Sequence, residues 1–177
     1  MSVMCVVDCE NVDSVLGFEI LNHKPVPSER LDYSRLRPWL SQHFNQPAQV
    51  VAVVREGEGQ SRANRFKFAK ALEAVGVRVI FAERFAALNG IPMSREIVDH
   101  VASHLIIKST SEIVVVGGHD FFAAEPLRQV RERGARVFAI GFSEFVSGEI
   151  ISVVEDVFDL ENDIGGFRGP LPRMTLV

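Results

Sequence analysis

Short apolar runs alternate along the chain with longer amphipathic segments. The runs are rich in Val and Ile and end in polar or turn-forming residues, which is typical of strands buried on both faces of a sheet. Apolar residues between the runs recur at helical spacing. The predicted strands are 3–8, 49–54, 77–82, 112–116, 136–140 and a short 157–160. The predicted helices are 32–44, 61–75, 94–108, 126–133 and 147–155, with loops at 18–29 and 85–92.

Regular alternation of strands and helices predicts a parallel sheet with helices on both faces. We therefore expect a three-layer α/β/α fold with a mainly parallel sheet of five or six strands. Residues 1–161 are expected to form one domain. The Gly- and Pro-containing segment 162–177 is expected to be a loose C-terminal tail.

Composition narrows the functional classes only slightly. The 177 residues are 47% hydrophobic, which is enough for a sizeable core, and no apolar run is long enough to span a bilayer. We expect a soluble, cytoplasmic protein. The net charge of −4 lacks the basic excess of many nucleic-acid-binding proteins, so any such binding must depend on a local patch. Cys5 and Cys9 are too far apart on one strand for a disulfide.

Acidic residues follow two of the predicted strands. Asp8 ends the first apolar run and Asp120 follows the fourth, and these two strands are plausible neighbours at the switch point of a doubly wound sheet. Asp99 lies about one turn into the helix that precedes the fourth strand. Clustered carboxylates suit a hard cation such as Mg²⁺ or Mn²⁺. The alternative for Asp8 and Asp120 is that each only caps the following turn or helix.

Several segments resemble the NYN domains, a group of PIN-like ribonucleases. Val-Val-Asp-Cys-Glu-Asn at 6–11 is similar to their opening Asp-x-x-Asn motif. Ile-Val-Val-Val-Gly-Gly-His-Asp-Phe at 113–121 resembles their strand that ends in Ser-Gly-Asp-x-Asp-Phe. The central Val-Asp at 98–99 and the closing segment from Ser147 to Leu160 also match the family pattern. The resemblance extends over nearly the whole chain up to about residue 161.

This resemblance implies a PIN-like fold and a metal-dependent endoribonuclease. Asp8, Asp99 and Asp120 would form the acidic cluster that binds Mg²⁺ or Mn²⁺, and Asn11 would orient a ligand or one of the carboxylates. The implied partner is single-stranded RNA.

One acidic position of the family is missing. The first Asp of the Gly-Asp-x-Asp motif is Gly118 here, so Glu10, Asp13 or Glu149 would have to substitute, or the site is weakened. The alternative function is therefore an RNA-binding or regulatory module that keeps the fold without efficient chemistry. We expect Gly118→Asp to tighten metal binding, provided that Gly118 does not need a positive φ. A nucleotide-binding regulator is a third hypothesis, but no Gly-x-Gly-x-x-Gly pattern follows the first strand.

The densest basic stretch surrounds the start of the second predicted helix. Arg55, Arg62 and Arg65 are the candidate RNA-binding residues, because helix amino termini and arginines favour phosphate groups. The alternative is a solvated helix face. The segments 121–122 and 142–145 are rich in Phe and are candidates either for a homodimer contact or for core positions.

Overall fold

The computed structural model describes residues 2–118 and 121–173. The strands are β1 Val3–Asp8, β2 Ala48–Val54, β3 Arg78–Phe81, β4 Ile113–Gly117, β5 Arg136–Gly141 and β6 Val157–Asp159. The α-helices are α1 Cys9–Val15, α2 Leu36–Phe44, α3 Gly59–Ala74, α4 Ala82–Asn89, α5 Ile97–Lys108, α6 Ala124–Glu132 and α7 Gly148–Val153. A π-helical segment, Leu16–Leu21, continues α1.

The strands form one sheet in the order β3-β2-β1-β4-β5-β6, and all five pairings are parallel. The chain moves outward from β1 to β3 and then returns to the other side of β1 with β4. The strand order therefore reverses between β1 and β4, where Val7 pairs with Gly117. In open α/β sheets, the carboxyl ends of the strands at such a switch point are the usual place for a ligand.

Helices cover both faces of the sheet and produce two apolar cores. Because successive side chains of a strand point to opposite faces, Cys5 and Val7 join one core and Val6 joins the other. The first core contains residues of α1, α2 and α3, including Leu36 and Leu72. The second contains residues of α4, α5, α6 and α7. The expected three-layer α/β/α architecture with a mainly parallel sheet of five or six strands is confirmed, and the sheet has six strands, all parallel.

Three local predictions are wrong, the first being the loop at 18–29, which begins inside the π-helical segment Leu16–Leu21. The expected loop at 85–92 contains most of α4, whose Ala82 and Ala86 pack in the second core, because two small residues one turn apart allow close approach to the sheet. The third concerns the C-terminal segment, which was expected to be loose but packs against the domain as far as Arg173. Ile164 and Phe167 are buried in the first core, and Arg173 forms ion pairs with Asp159 and Glu144.

Among the described residues, no helix is both long enough and apolar enough to cross a lipid bilayer.

Candidate acidic site at the carboxyl edge of the sheet

Asp8 lies at the carboxyl end of β1, at the switch point of the sheet. Its side chain is only 7% exposed. Its Oδ1 accepts a hydrogen bond from the backbone N–H of Asn11 at 3.1 Å, so Asp8 is also the N-cap of α1. The capping role that the sequence left as an alternative is therefore present. It does not exclude a second role, because a carboxylate has more acceptor positions than one cap bond uses.

The environment of Asp8 disfavours its charged form. Burial raises the pKa of this carboxyl, and the negative charges of Asp99 and Glu10 raise it further, to about 7. The hydrogen bond from Asn11 acts in the opposite direction but does not offset burial. A carboxyl group with a pKa near neutrality, at the edge where open α/β sheets usually bind ligands, is a candidate functional group.

Asp99 lies in the first turn of α5 and is half-buried. The pleat of β1 points Asp8 to the same face as Val6, which is the face that α5 covers. This arrangement explains why the charge of Asp99 acts on Asp8 although the two residues are 91 positions apart in the sequence. The structure therefore brings together two of the three predicted acids.

Asp120, the third predicted acid, lies outside the described residues. Within residues 2–118 and 121–173, no group of three or more His, Cys, Asp or Glu side chains has an arrangement that could hold a metal ion. Of the three suggested substitutes for the missing acid, Glu10 acts electrostatically on Asp8. Asp13 is half-buried beside Arg30, and Glu149 is exposed in the first turn of α7.

Gly118 follows β4 directly and has a φ of +67°. A Cβ atom at this position would lie 2.5 Å from the backbone oxygen of Asp8 and 2.8 Å from Cγ2 of Val12. Both the backbone conformation and the contact with β1 therefore require glycine. The proviso attached to Gly118→Asp fails, and we no longer expect that substitution to improve metal binding.

Asn11 affects Asp8 through its backbone. Its N–H holds the Asp8 carboxylate, and any residue other than proline could supply that bond. The side chain of Asn11 instead lines a small cavity of about 30 Å³ together with Val12, Gly118 and Ile140. The predicted role of the Asn11 amide in orienting a ligand stays a prediction.

The three candidate RNA-binding arginines all lie near the carboxyl ends of β1 and β2, and each is ion-paired. Arg55 Nε lies 3.3 Å from Glu83 Oε1, and Arg62 Nη2 lies 2.7 Å from Glu56 Oε1. Arg65 Nη2 lies 3.3 Å from Glu10 Oε1.

Arg65 is therefore the arginine that the structure links most directly to the surroundings of Asp8. Any anion that binds these guanidinium groups must share them with the three glutamates or displace those carboxylates.

The sequence reasoning missed the cations contributed by the segment between the π-helix and α2. Lys24 and Arg30 lie next to Glu10 and Asp13 at the mouth of a groove beside α1. Both residues fall in or next to a predicted loop, and no local pattern connects a loop residue to a particular helix.

The Phe-rich segments divide between core and surface. Phe142 is buried in the first core, whereas Phe122 is 39% exposed and Phe145 is 42% exposed. The homodimer contact remains a prediction for the two exposed rings.

Comparisons with known proteins identify the fold alone. Neither a scan of protein-family models nor a search of curated proteins gives a match. A solved structure, a protein of unknown function (VPA0982) from Vibrio parahaemolyticus RIMD 2210633, is similar over 92% of this chain and 94% of that chain. Its TM-score is 0.61 and its sequence identity is 13%. The likeness extends over the whole α/β/α architecture and carries no statement about activity.

Proposed function

We propose that this protein is a divalent-metal-dependent endoribonuclease that hydrolyses RNA phosphodiester bonds at the carboxyl edge of β1 and β4. The observation that carries the proposal is Asp8, a buried carboxyl group at the switch point on which two further acids act. The charges of Asp99 and Glu10 raise its pKa, and a bound cation would relieve that repulsion. The resemblance of the sequence to the NYN domains supplies the reaction class.

The carboxylate oxygens at this edge are donors of the kind that a hard cation prefers. Asp8 and Asp99 would hold Mg²⁺ or Mn²⁺, with Asp120 as the third ligand that the sequence motif suggests. Such an ion would activate water and offset charge on the phosphate.

Metal binding requires the deprotonated form of Asp8, and the chain itself must hold the RNA in place. Because the pKa of Asp8 is raised to about 7, the deprotonated fraction of this group increases as the pH rises through neutrality. Metal binding and cleavage should increase over the same range. Arg65, which pairs with Glu10, is the first candidate to contact a phosphate of the RNA, and Arg55 and Arg62 would extend that contact along α3 and the end of β2.

A second candidate is an RNA-binding or regulatory module without efficient cleavage. The geometry of Gly118 favours it, because this position cannot accept the acid of the family motif. The two candidates share the RNA-binding arginines and differ in whether the remaining carboxylates support hydrolysis.

The first test is cleavage of mixed single-stranded and structured RNA by the purified protein in Mg²⁺ or Mn²⁺. We expect cleavage that a chelator abolishes, and an Asp8→Asn rate reduced by roughly 100-fold or more, because the substitution removes a metal ligand. Asp156→Asn is the matched control, since Asp156 is an exposed aspartate at the amino end of β6. Chelator-resistant cleavage, or full activity in Asp8→Asn, would contradict the proposal.

The second test concerns RNA binding, measured in the presence of a chelator at several salt concentrations. Loss of one phosphate contact should reduce the slope of log K against log salt by roughly 0.7 for single-stranded RNA. We expect this reduction for Arg65→Ala and for Arg62→Ala. Arg136→Ala is the control, because Arg136 is an ion-paired arginine at the opposite edge of the sheet. Equal slopes in all variants would show that the basic stretch is only a solvated face. RNA binding without cleavage by the wild type would favour the second candidate.

A further inference from the structure

A groove runs beside α1, on the face of the sheet opposite to α5. It consists of two adjoining cavities of about 540 and 450 Å³ that share Glu10, Asp13, Lys24 and Arg30. Each cavity has the size of a small-molecule or nucleotide site. We call this feature the α1 groove. Glu10 lines both cavities and also acts electrostatically on Asp8, which links the groove to the acidic edge.

Charged side chains of both signs line the α1 groove. Arg30 Nε lies 3.5 Å from Asp13 Oδ2, and Arg65 pairs with Glu10. Lys24 forms no ion pair with any residue that the structure describes. Three cations thus face two anions, which leaves a surplus positive charge at Lys24 where the two cavities meet.

The polar groups of the groove are not fully satisfied by the protein. Within the described part of the chain, Asp13 Oδ1 is buried and has no hydrogen-bond partner. Glu10 Oε1 and Arg30 Nε are also buried, and each lies within ion-pair distance of Arg65 or Asp13 without forming a hydrogen bond. Burial raises the pKa of Asp13, with Arg30 opposing and Glu10 adding to that effect. Two carboxylates and a guanidinium therefore have hydrogen-bonding capacity that a small rotation of each side chain would present to a ligand.

One end of the groove carries an exposed aromatic ring. Phe18 lies in the π-helical segment and is 79% exposed. An exposed ring beside cations is the combination that single-stranded nucleic acids use, with a base stacked on the ring and the phosphate near the positive charge.

The carboxylates select among the bases. When ionised, Glu10 and Asp13 are acceptors only, so they favour a ligand with adjacent N–H donors and disfavour a bare phosphate. Guanine has two neighbouring donors, N1–H and the N2 amino group, followed by the O6 acceptor. Adenine, cytosine and uracil each have one donor group on the corresponding edge.

We propose that the α1 groove binds a guanosine of the RNA, with its base donors on Glu10 and Asp13, O6 toward Arg30, its ring on Phe18 and a phosphate near Lys24. This inference rests on the proposed function, because it names the nucleotide that the ribonuclease would recognise in its RNA substrate. The binding itself can be measured without cleavage.

The experiment measures binding in the presence of a chelator, so that no metal-dependent cleavage interferes. The probes are GMP, AMP, and the RNA pentamers AAGAA and AAAAA. We expect GMP to bind about tenfold more tightly than AMP, and AAGAA to show a similar preference over AAAAA. Asp13→Asn should remove most of this preference. Lys24→Met and Phe18→Ser should weaken the binding of all four probes.

The controls are Lys70→Met and Leu88→Ser, since these residues are exposed and lie outside the groove. Equal binding of GMP and AMP would overturn the proposal, as would a guanine preference that survives both Asp13→Asn and Glu10→Gln. A preference seen with GMP but absent between the two pentamers would also overturn it, because the groove would then be a site for free nucleotides.

The outcomes separate this inference from the proposed ribonuclease. Cleavage with no guanine preference would leave the nuclease intact and remove the groove proposal. A guanine preference that depends on Asp13, without any cleavage, would support the groove and overturn the nuclease.

Discussion

Asp8 and Asp159 are the two buried charged side chains of the described residues, at 7% and 3% exposure. Each is the last residue of a parallel strand, β1 or β6, so both lie at the same edge of the sheet. Their surroundings nevertheless drive their protonation in opposite directions.

Asp159 is saturated with partners. Its carboxylate accepts hydrogen bonds from the N–H and Oγ of Ser143 and from the N–H groups of Glu161 and Asn162. The guanidinium of Arg173 adds two charge-assisted bonds of 2.7 and 2.8 Å. Burial alone would raise the pKa of Asp159, but these donors together hold it well below its usual range.

Asp8 has no comparable set of donors and no cation beside it among the described residues. Its neighbours include two acids, and burial is the largest influence on its pKa, which rises to about 7. The comparison teaches that burial at a strand end does not by itself indicate function. A buried carboxylate whose acceptor positions are all used stabilises the fold. A buried carboxylate whose charged form is disfavoured, and which has unused acceptor positions, can still bind a ligand.

The largest effect on stability is expected at Asp159, whose acceptor positions are all used. Arg173→Met leaves Asp159 buried without its counter-ion, and we expect a loss of roughly 3 kcal/mol in the free energy of unfolding. The lowered pKa means that the stabilisation is present above about pH 4, the unfolded-state value, and is lost as the pH falls below it. Urea unfolding at pH 7 and pH 3 checks this.

Arg136→Met is the control for Arg173, because the Arg136–Glu155 pair is exposed. Its effect should stay within about 0.5 kcal/mol. Equal effects of the two substitutions would show that the Asp159 cluster is only a surface network.

At Asp8, by contrast, we expect a substitution that stabilises the protein. The pKa of Asp8 is raised from an unfolded value near 4 to about 7. The ionised side chain therefore destabilises the folded state by an amount that is absent below pH 4 and grows as the pH rises to about 7. Asp8→Asn keeps an N-cap residue and removes the charge. We expect the variant to be more stable than the wild type by about 2 kcal/mol at pH 8 and by much less at pH 5.

Added Mg²⁺ or Mn²⁺ should raise the unfolding temperature of the wild type and leave that of Asp8→Asn unchanged. If Asp8→Asn is no more stable than the wild type at pH 8, the carboxylate is satisfied in solution and the contrast with Asp159 fails.

A smaller effect is expected at the backbone contact beside Asp8. Gly118→Ala combines a positive φ with a Cβ placed 2.5 Å from the Asp8 carbonyl oxygen, and should cost about 2 kcal/mol. Gly90→Ala has nearly the same φ, +68°, but open space around the Cβ, and should cost about 1 kcal/mol. Thermal unfolding of the two variants measures the difference. Equal costs would indicate that β4 moves freely away from Asp8.

The sequence contained enough information for the layers and the strand positions. Runs of Val and Ile that end in polar residues are local features, and alternation with helices leaves few topologies. The same reasoning placed Asp8 at the end of β1 next to β4. It failed for α4, because the apolar content of that helix is mostly alanine, which gives a weak periodic signal.

The candidate site was predictable only in part. The sequence motif named Asp8 and Asp99, and the pleat of β1 together with the position of α5 explains why they interact. Nothing local distinguished Asp8 from Asp159, since both follow an apolar strand. Their difference depends mainly on Ser143 and Arg173, which reach Asp159 from 16 residues before it and 14 residues after it.

By itself, the sequence determined the α/β/α fold and the strand ends on which acids occur, because periodicity and strand termination are properties of neighbouring residues. Only the tertiary structure decided which buried acid is satisfied, which arginines are already paired, and that Lys24 and Arg30 meet Glu10 and Asp13 in one groove. Desolvation and charge pairing depend on distances between residues far apart in the chain, and folding alone sets those distances.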